Sequence, residues 1–146
     1  MIPWAECIGR ISGKRKNEIK TEKIQRFAEA VNFPEVTAGG TSNVLLAPPT
    51  FPRTLEYGSI HSFSLPKAGM IHGKQSYCYD RPLYSGDVIY CCFQLQDIVK
   101  KQGKSGEMLF VYIKQTGEDV SQNRVFYGDR LLILPETLWR KEAGGE

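Results

Sequence analysis

The sequence predicts an α+β fold, a curved antiparallel β-sheet wrapped around a long central helix. Three observations carry that expectation. Apolar residues recur at helical spacing early in the chain, at Ile24, Phe27, Ala28 and Val31. From Met70 onward the chain is instead dense in β-branched and aromatic residues, in one shorter run and three long ones. Turn-like links join these runs, and they are short enough to make neighbouring strands antiparallel. Helices followed by strands bury their apolar faces as packed layers.

Taken in order, residues 1–20 read as a polar, mixed lead-in. Thr21–Asn32 forms the first helix, with Thr21 as N-cap, Glu22 in the first turn and Pro34 closing the segment. A Gly/Thr/Ser-rich link from Thr37 to Asn43 leads to LLAPPTFPRTLEYG at positions 45–58. Two adjacent prolines announce a loop. Proline is also tolerated in the first helical turn, where its missing N–H has no intrahelical partner, so a second helix is expected around Thr50–Tyr57. Strands are expected over Met70–Arg81, Asp87–Val99, Glu107–Gln115 and Arg124–Leu134. Their links are Pro82–Gly86, Gln102–Gly106 and Thr116–Asn123, and Glu142–Glu146 reads as a frayed tail.

The 146 residues fit a single domain, 1–146, that is long enough to bury a core. An apolar fraction of 41% and a charged fraction of 24% are those of an ordinary globular protein. The net charge of +3 is mild, and the basic runs Lys14-Arg15-Lys16 and Lys100-Lys101 with Lys104 read as solvated loops. No nucleic-acid motif accompanies them, so no nucleic-acid partner is expected. Without a long apolar run or a signal peptide, no membrane span is expected and the default location is the cytoplasm. Cys7, Cys78, Cys91 and Cys92 form no CxxC pair and there are only two histidines, so no metal site is expected. Cys78, Cys91 and Cys92 lie in strand-like runs and read as core packing.

Three stretches carry a resemblance: LLAPPTFPRTL, IHGKQSYCYDRPLYSGDVIY, and a later strand with KQGKSGEMLFV. Together they resemble the N-terminal, non-catalytic half of MaoC-like dehydratases, over about residues 21–134. The most specific pieces are Ala47-Pro48-Pro49-Thr50-Phe51, His72-Gly73, and Arg81-Pro82 with Gly86-Asp87. The resemblance implies a hotdog fold, side-by-side pairing of two hotdogs, and an acyl tunnel near the pair's interface. It also implies hydration of trans-2-enoyl thioesters, or dehydration of (R)-3-hydroxyacyl thioesters.

That chemistry needs a positioned acid/base and donors for an enolate-like thioester oxygen. Active relatives supply the first with Asp-x-Asn-x-x-His, where this chain reads Ala30-Val31-Asn32-Phe33-Pro34-Glu35-Val36-Thr37. They supply the second with His-Gly at the start of the central helix, where this chain has Pro48-Pro49-Thr50 and so lacks two N–H donors. The expected function is therefore a non-catalytic, tunnel-forming subunit, with no catalytic residue of its own. Its partner would be a catalytic MaoC-like hotdog chain, and the isolated chain would form a homodimer. Two alternatives remain open: a homodimeric hydratase or thioesterase using Glu29, Glu35 or His72, and an acyl-CoA-binding module without turnover. No cofactor is expected; the ligand would be an acyl thioester of coenzyme A or acyl carrier protein. Tunnel-lining candidates are Pro49, Thr50, Phe51, Leu55, Tyr57, His72 and Gly73. Arg81, Pro82, Gly86 and Asp87 are expected to be structural. Asp80 and Arg81 are a candidate ion pair, His61 a residue without chemistry, and Gly103–Gly106 a hairpin turn. Lys100, Lys101 and Lys104 could meet the phosphates of coenzyme A or an acidic carrier.

Overall fold

The computed structural model describes residues 2–33, 44–104 and 106–143. Five antiparallel strands form one sheet: β1 (Arg15–Glu18), β2 (Ile71–Tyr79), β3 (Val88–Gly103), β4 (Gly106–Glu118) and β5 (Arg124–Leu134). Their order is β1-β3-β4-β5-β2, so β1 and β2 are the two edges. Two helices accompany them, α1 (Thr21–Ala30) and α2 (Glu136–Ala143). The α+β expectation holds. The three long strands fall where β-branched and aromatic residues concentrate, and β3 and β4 run on to the tight turn at Gly103–Gly106.

Strand periodicity selects the buried face. Along β4, Leu109, Val111, Ile113, Gln115 and Gly117 are buried while the alternate residues are half-buried. The apolar residues on this inner face divide into two groups. Trp4, Phe63, Leu95, Leu109, Val111, Leu132, Leu134 and Trp139 belong to one. Ile24, Phe51, Leu83, Ile89, Cys91, Val125 and Phe126 belong to the other. The first group is covered by the N-terminal segment and α2, with Trp4 edge-on to Phe63 at 5.3 Å between ring centroids. The second is covered by α1 and the proline-rich segment, with Phe27 edge-on to Phe51 at 5.6 Å.

Several local expectations are corrected. The second helix expected around Thr50–Tyr57 is not formed: after Pro48-Pro49 there is a single 3-10 turn, Phe51–Thr54. The cause is non-local. The Asn17 side chain accepts from the Glu56 N–H at 2.8 Å and donates to the Glu56 carbonyl at 2.9 Å, which holds that backbone extended. The lead-in is structured too. Lys14-Arg15-Lys16 is not a solvated loop, because Arg15–Glu18 pairs with β3. In α1 the N-cap is Lys20 rather than Thr21, since Ile19 is bonded to Asp87 and the chain turns helical immediately afterwards. Asn32, at φ 56°, adopts the left-handed conformation that often follows a helix C-terminus.

Helix α2 was not anticipated. It follows Pro135, and its fully buried Trp139 donates Nε1–H to the Glu107 carbonyl at 2.8 Å. Cys78 is exposed on the edge strand, contrary to the core assignment, whereas Cys91 is buried and Cys92 half-buried. The closing Pro34, the Thr37–Asn43 link and the final residues 144–146 lie outside the described residues. Among the described residues no helix is long and apolar enough to cross a membrane.

Close backbone approach makes one glycine a sharp test of this packing. A Cβ on Gly128 would stand 2.1 Å from the Ser76 carbonyl oxygen, which belongs to the neighbouring strand and has no rotamer to yield. Gly128→Ala is expected to lower stability by about 1–3 kcal/mol, the usual cost of overpacking. Gly13→Ala, with nothing within 4 Å, should change it little. Chemical denaturation of the two variants measures the difference.

Candidate functional site

The site is built where the proline-rich segment crosses the inner face. Leu45–Ala47 is pinned to the β2–β3 loop. Ala47 N–H donates to the Leu83 carbonyl at 2.8 Å, and Ser85 N–H to the Leu45 carbonyl at 2.9 Å. That loop is in turn closed by Asp87. Its carboxylate accepts from Arg81 at 2.9 and 3.4 Å and from the Tyr84 N–H at 2.8 Å. Gly86, at φ 93°, takes the turn conformation that glycine permits, and its N–H donates to the Ile19 carbonyl at 2.8 Å. Pro82, exposed, lends its carbonyl to Arg81 at 2.9 Å. Arg81 thus pairs with Asp87, and Asp80 pairs separately with Arg124 at 2.6 Å; the two neighbours do not pair with each other.

Beyond this clamp the carbonyls of the proline segment are all engaged. Pro48 accepts from the Phe51 N–H at 2.9 Å, and Pro49 from the Tyr79 hydroxyl at 2.7 Å. Pro52 accepts from both the Leu55 N–H at 3.2 Å and the Tyr57 hydroxyl at 2.8 Å. Pro49 and Thr50 are exposed, Phe51 is buried, and Leu55 and Tyr57 are half-buried. Phe51 is therefore core rather than lining, since its ring closes on Phe27.

Next to Tyr57, between the two apolar groups, lies a band of polar side chains. Strand pairing sets it. Gln75 stands opposite Arg130, Tyr77 opposite Gly128, and His72 opposite Leu132. A bulge between His72 and Lys74 shifts the register at Gly73. Without it, His72 and Gln75 would point to opposite faces; with it, they share the face of Arg130 and Leu132. Gln75 Nε2 donates to Gln115 Oε1 at 3.3 Å across the sheet. Tyr77 Oη and Arg130 Nε are sealed from solvent without a hydrogen-bond partner among the described residues. His72 and Gly73 are exposed at the edge.

The electrostatics of this band favour neutral phenols and thiols beside cations. Burial pushes the Tyr77 hydroxyl up to about 12, and raises those of Tyr57 and Tyr79 as well. Burial likewise raises the Cys91 thiol to about 12, so it stays protonated and is not a nucleophile at neutral pH. Partial desolvation lowers the pKa of His72, and the charges of Arg130 and Arg53 lower it further. What sits around His72 is thus cationic, where a general base paired with a carboxylate would have an anion. Glu29 is exposed on α1, and Glu35 lies outside the described residues.

Two of the basic groups near the β3–β4 turn are tied into the fold. Lys100 lies 3.9 Å from Glu107 and over the Trp139 ring, and Lys101 lies over Phe110. Two clefts adjoin the site. One of about 620 Å³ is lined by residues that include Lys16, Lys20, Lys23, Arg26 and Leu55. Another, of about 380 Å³ and mostly apolar, is lined by Phe33, Leu46, Pro49, Tyr79 and Leu83 among others. Sequence reasoning found Tyr57 and His72 but missed Tyr77, Gln75, Gln115 and Arg130. Its available signal was polar residues at positions where strand alternation demands apolar ones.

Against this geometry stand the comparisons with known proteins. The family described as FAS1-like, dehydratase domain region, matches residues 6–127. The chain belongs to this family. The UPF0336 protein of Thermobifida fusca (strain YX) is 33% identical over 106 residues, which cover 63% of this chain and 68% of that protein. Among solved structures, the HadBC (3R-hydroxyacyl-ACP dehydratase) complex of Mycobacterium tuberculosis superposes with a TM-score of 0.66 at 15% identity. That match covers 87% of this chain and 96% of the other. The ChsH1-ChsH2 complex of Mycobacterium tuberculosis gives 0.66 at 18%, covering 87% and 90%. R-hydratase PhaJ1 of Pseudomonas aeruginosa gives 0.60 at 17%, covering 92% and 86%. At these identities the likeness is one of fold, and that fold is the hotdog. Two of these neighbours are complexes of different hotdog subunits.

The lowered His72 pKa gives a test of the band. Because the folded value lies below the ordinary 6.5, the fold resists protonation of this histidine. Its contribution is neutral above that pH and becomes a penalty as pH falls below it. Proton NMR should show the His72 ring titrating below 6.5, and Arg130→Met should move the midpoint upward. A midpoint unmoved by the substitution would place Arg130 away from His72.

Proposed function

We propose that this chain is the non-catalytic half of a MaoC-like (R)-3-hydroxyacyl-thioester dehydratase or enoyl-thioester hydratase. Its role is to complete the fold and to line the acyl tunnel. The observation that carries this reading is a double loss. Where active relatives place Asp-x-Asn-x-x-His, this chain has Ala30, Asn32 and Glu35. Where they place a glycine N–H for the thioester oxygen, it has Pro48-Pro49, whose carbonyls are spent on Phe51 and Tyr79.

The two sheet edges support pairing at one of them. Strand β1 is four residues long and reads Arg-Lys-Asn-Glu, the short, charged kind of edge that resists further pairing. Strand β2 has nine residues, with Lys74 and His72 as its basic groups and no acidic one. A second hotdog chain aligned along β2 would extend the sheet and bring His72, Gly73 and the polar band to the junction. The two-subunit neighbours supply a precedent for unlike hotdog chains in one complex. The acyl group would be carried by coenzyme A or an acyl carrier protein, and the isolated chain would self-pair along β2.

A homodimeric enzyme is the rival, and His72 is the residue on which it would depend. The purified chain is expected to show no useful turnover of enoyl-CoA thioesters across short, medium and long acyl lengths, followed by loss of enoyl-thioester absorbance. Positioned acid/base catalysis contributes about 10²–10⁴-fold, and an oxyanion donor about 10²–10³-fold. Adding a hotdog chain that carries Asp-x-Asn-x-x-His should restore turnover. In the active pair, His72→Ala should lower activity only as far as it lowers pairing. Brisk turnover by this chain alone, abolished by His72→Ala, would establish the rival.

A further inference from the structure

The charge in the polar band has no structural explanation. Arg130 is half-buried, and among the described residues its side chain has neither a hydrogen bond nor an ion pair; its Nε is sealed from solvent. The titratable groups that act on it among the described residues are Tyr77, Arg53 and Tyr57, and none of them is a carboxylate. Beside it the Tyr77 hydroxyl is also buried and has no partner among the described residues. Leaving the Nε donor buried without a partner costs free energy that an apolar residue of similar size would not incur. The strands on either side show that apolar residues fit here: Ile113 and Leu132 precede the band on the inner face and Phe126 follows it. A fold needing only a hydrocarbon interior would be more stable with Met or Leu at position 130. Local rules broken without structural compensation concentrate at functional sites.

We propose that Arg130 and Tyr77, with Gln75 and Gln115 beside them, form a subsite for a carboxylate carried on the acyl chain, away from the thioester. The ligand class is then the ω-carboxyacyl thioester; this rests on the acyl-thioester function proposed above. The chemistry fits a carboxylate. A guanidinium presents a planar fork that matches two carboxylate oxygens. The neutral Tyr77 hydroxyl donates to one of them, and the carboxylate charge offsets that of the guanidinium. A phosphate, larger and more highly charged, carries a heavier desolvation cost in the same band.

Calorimetric titration of the purified chain with octanoyl-CoA and with the coenzyme A monothioester of octanedioic acid tests the subsite. The carboxylated thioester is expected to bind roughly tenfold or more tightly, the worth of a charge-assisted hydrogen bond. Arg130→Met should erase the preference and Tyr77→Phe should reduce it. Without ligand, Arg130→Met should unfold at the same or a higher temperature, which a structural arginine would not allow. Equal affinities in the unaltered chain, a preference that survives Arg130→Met, or a steep loss of thermal stability in that variant would each overturn the subsite. So would an Arg130→Met that weakens self-association without changing ligand preference, because the carboxylate would then come from a partner chain. Failure to bind either thioester would remove the subsite while leaving the turnover assay with a catalytic chain to judge the subunit role.

Discussion

One carboxylate organises the approach to the interior. Asp87 gathers Arg81 and the Tyr84 N–H with its side chain, while its backbone carbonyl accepts from Ile19 at 2.9 Å. A single residue thus joins the end of β2, the start of β3 and the chain leaving β1. The loop it closes is the one to which Leu45–Ala47 is bonded, and those residues feed directly into Pro48-Pro49. The ion pair is partly exposed, so its direct energetic worth is modest. Its importance is geometric, because the path of the covering segment is set by what Asp87 holds.

The covering segment is short of regular structure for a physical reason. Proline carbonyls accept from Phe51, Leu55, Tyr57 and Tyr79, so the segment is anchored by its acceptors while it lacks donors. A full helix over the inner face would bury a continuous apolar stripe. A single turn instead leaves room for tyrosines, glutamines and an arginine between two apolar groups. The polar band has its room because a proline turn, and not a helix, crosses the inner face at Phe51–Thr54.

Much of the sheet was legible in the sequence because strand patterning is local. The run Arg124–Leu134 begins and ends where its composition says, and Gly86-Asp87 makes the turn its residue types favour. What was not legible depends on partners far along the chain. Arg15–Glu18 looks like a solvated charge run until β3 supplies its register. Thr50–Tyr57 looks helical until Asn17 captures the Glu56 backbone. Trp139, buried on β4 through Glu107, stabilises a helix whose local sequence gave little warning. The band itself joins Gln75, Gln115 and Arg130, which stand together only once three strands are paired. The family resemblance reached the hotdog fold correctly, while the helix expected around Thr50–Tyr57 is a single 3-10 turn at Phe51–Thr54.

The central claim is that β2 is a pairing edge through which this chain completes a catalytic partner. Amide hydrogen exchange, read strand by strand and with increasing concentration of a hotdog chain carrying Asp-x-Asn-x-x-His, measures it most directly. The outer N–H groups of β2 should become as protected as those of the inner strands, in step with the appearance of turnover, while β1 exchanges unchanged. Turnover without added protection along β2, or protection that builds on β1 instead, would contradict the account.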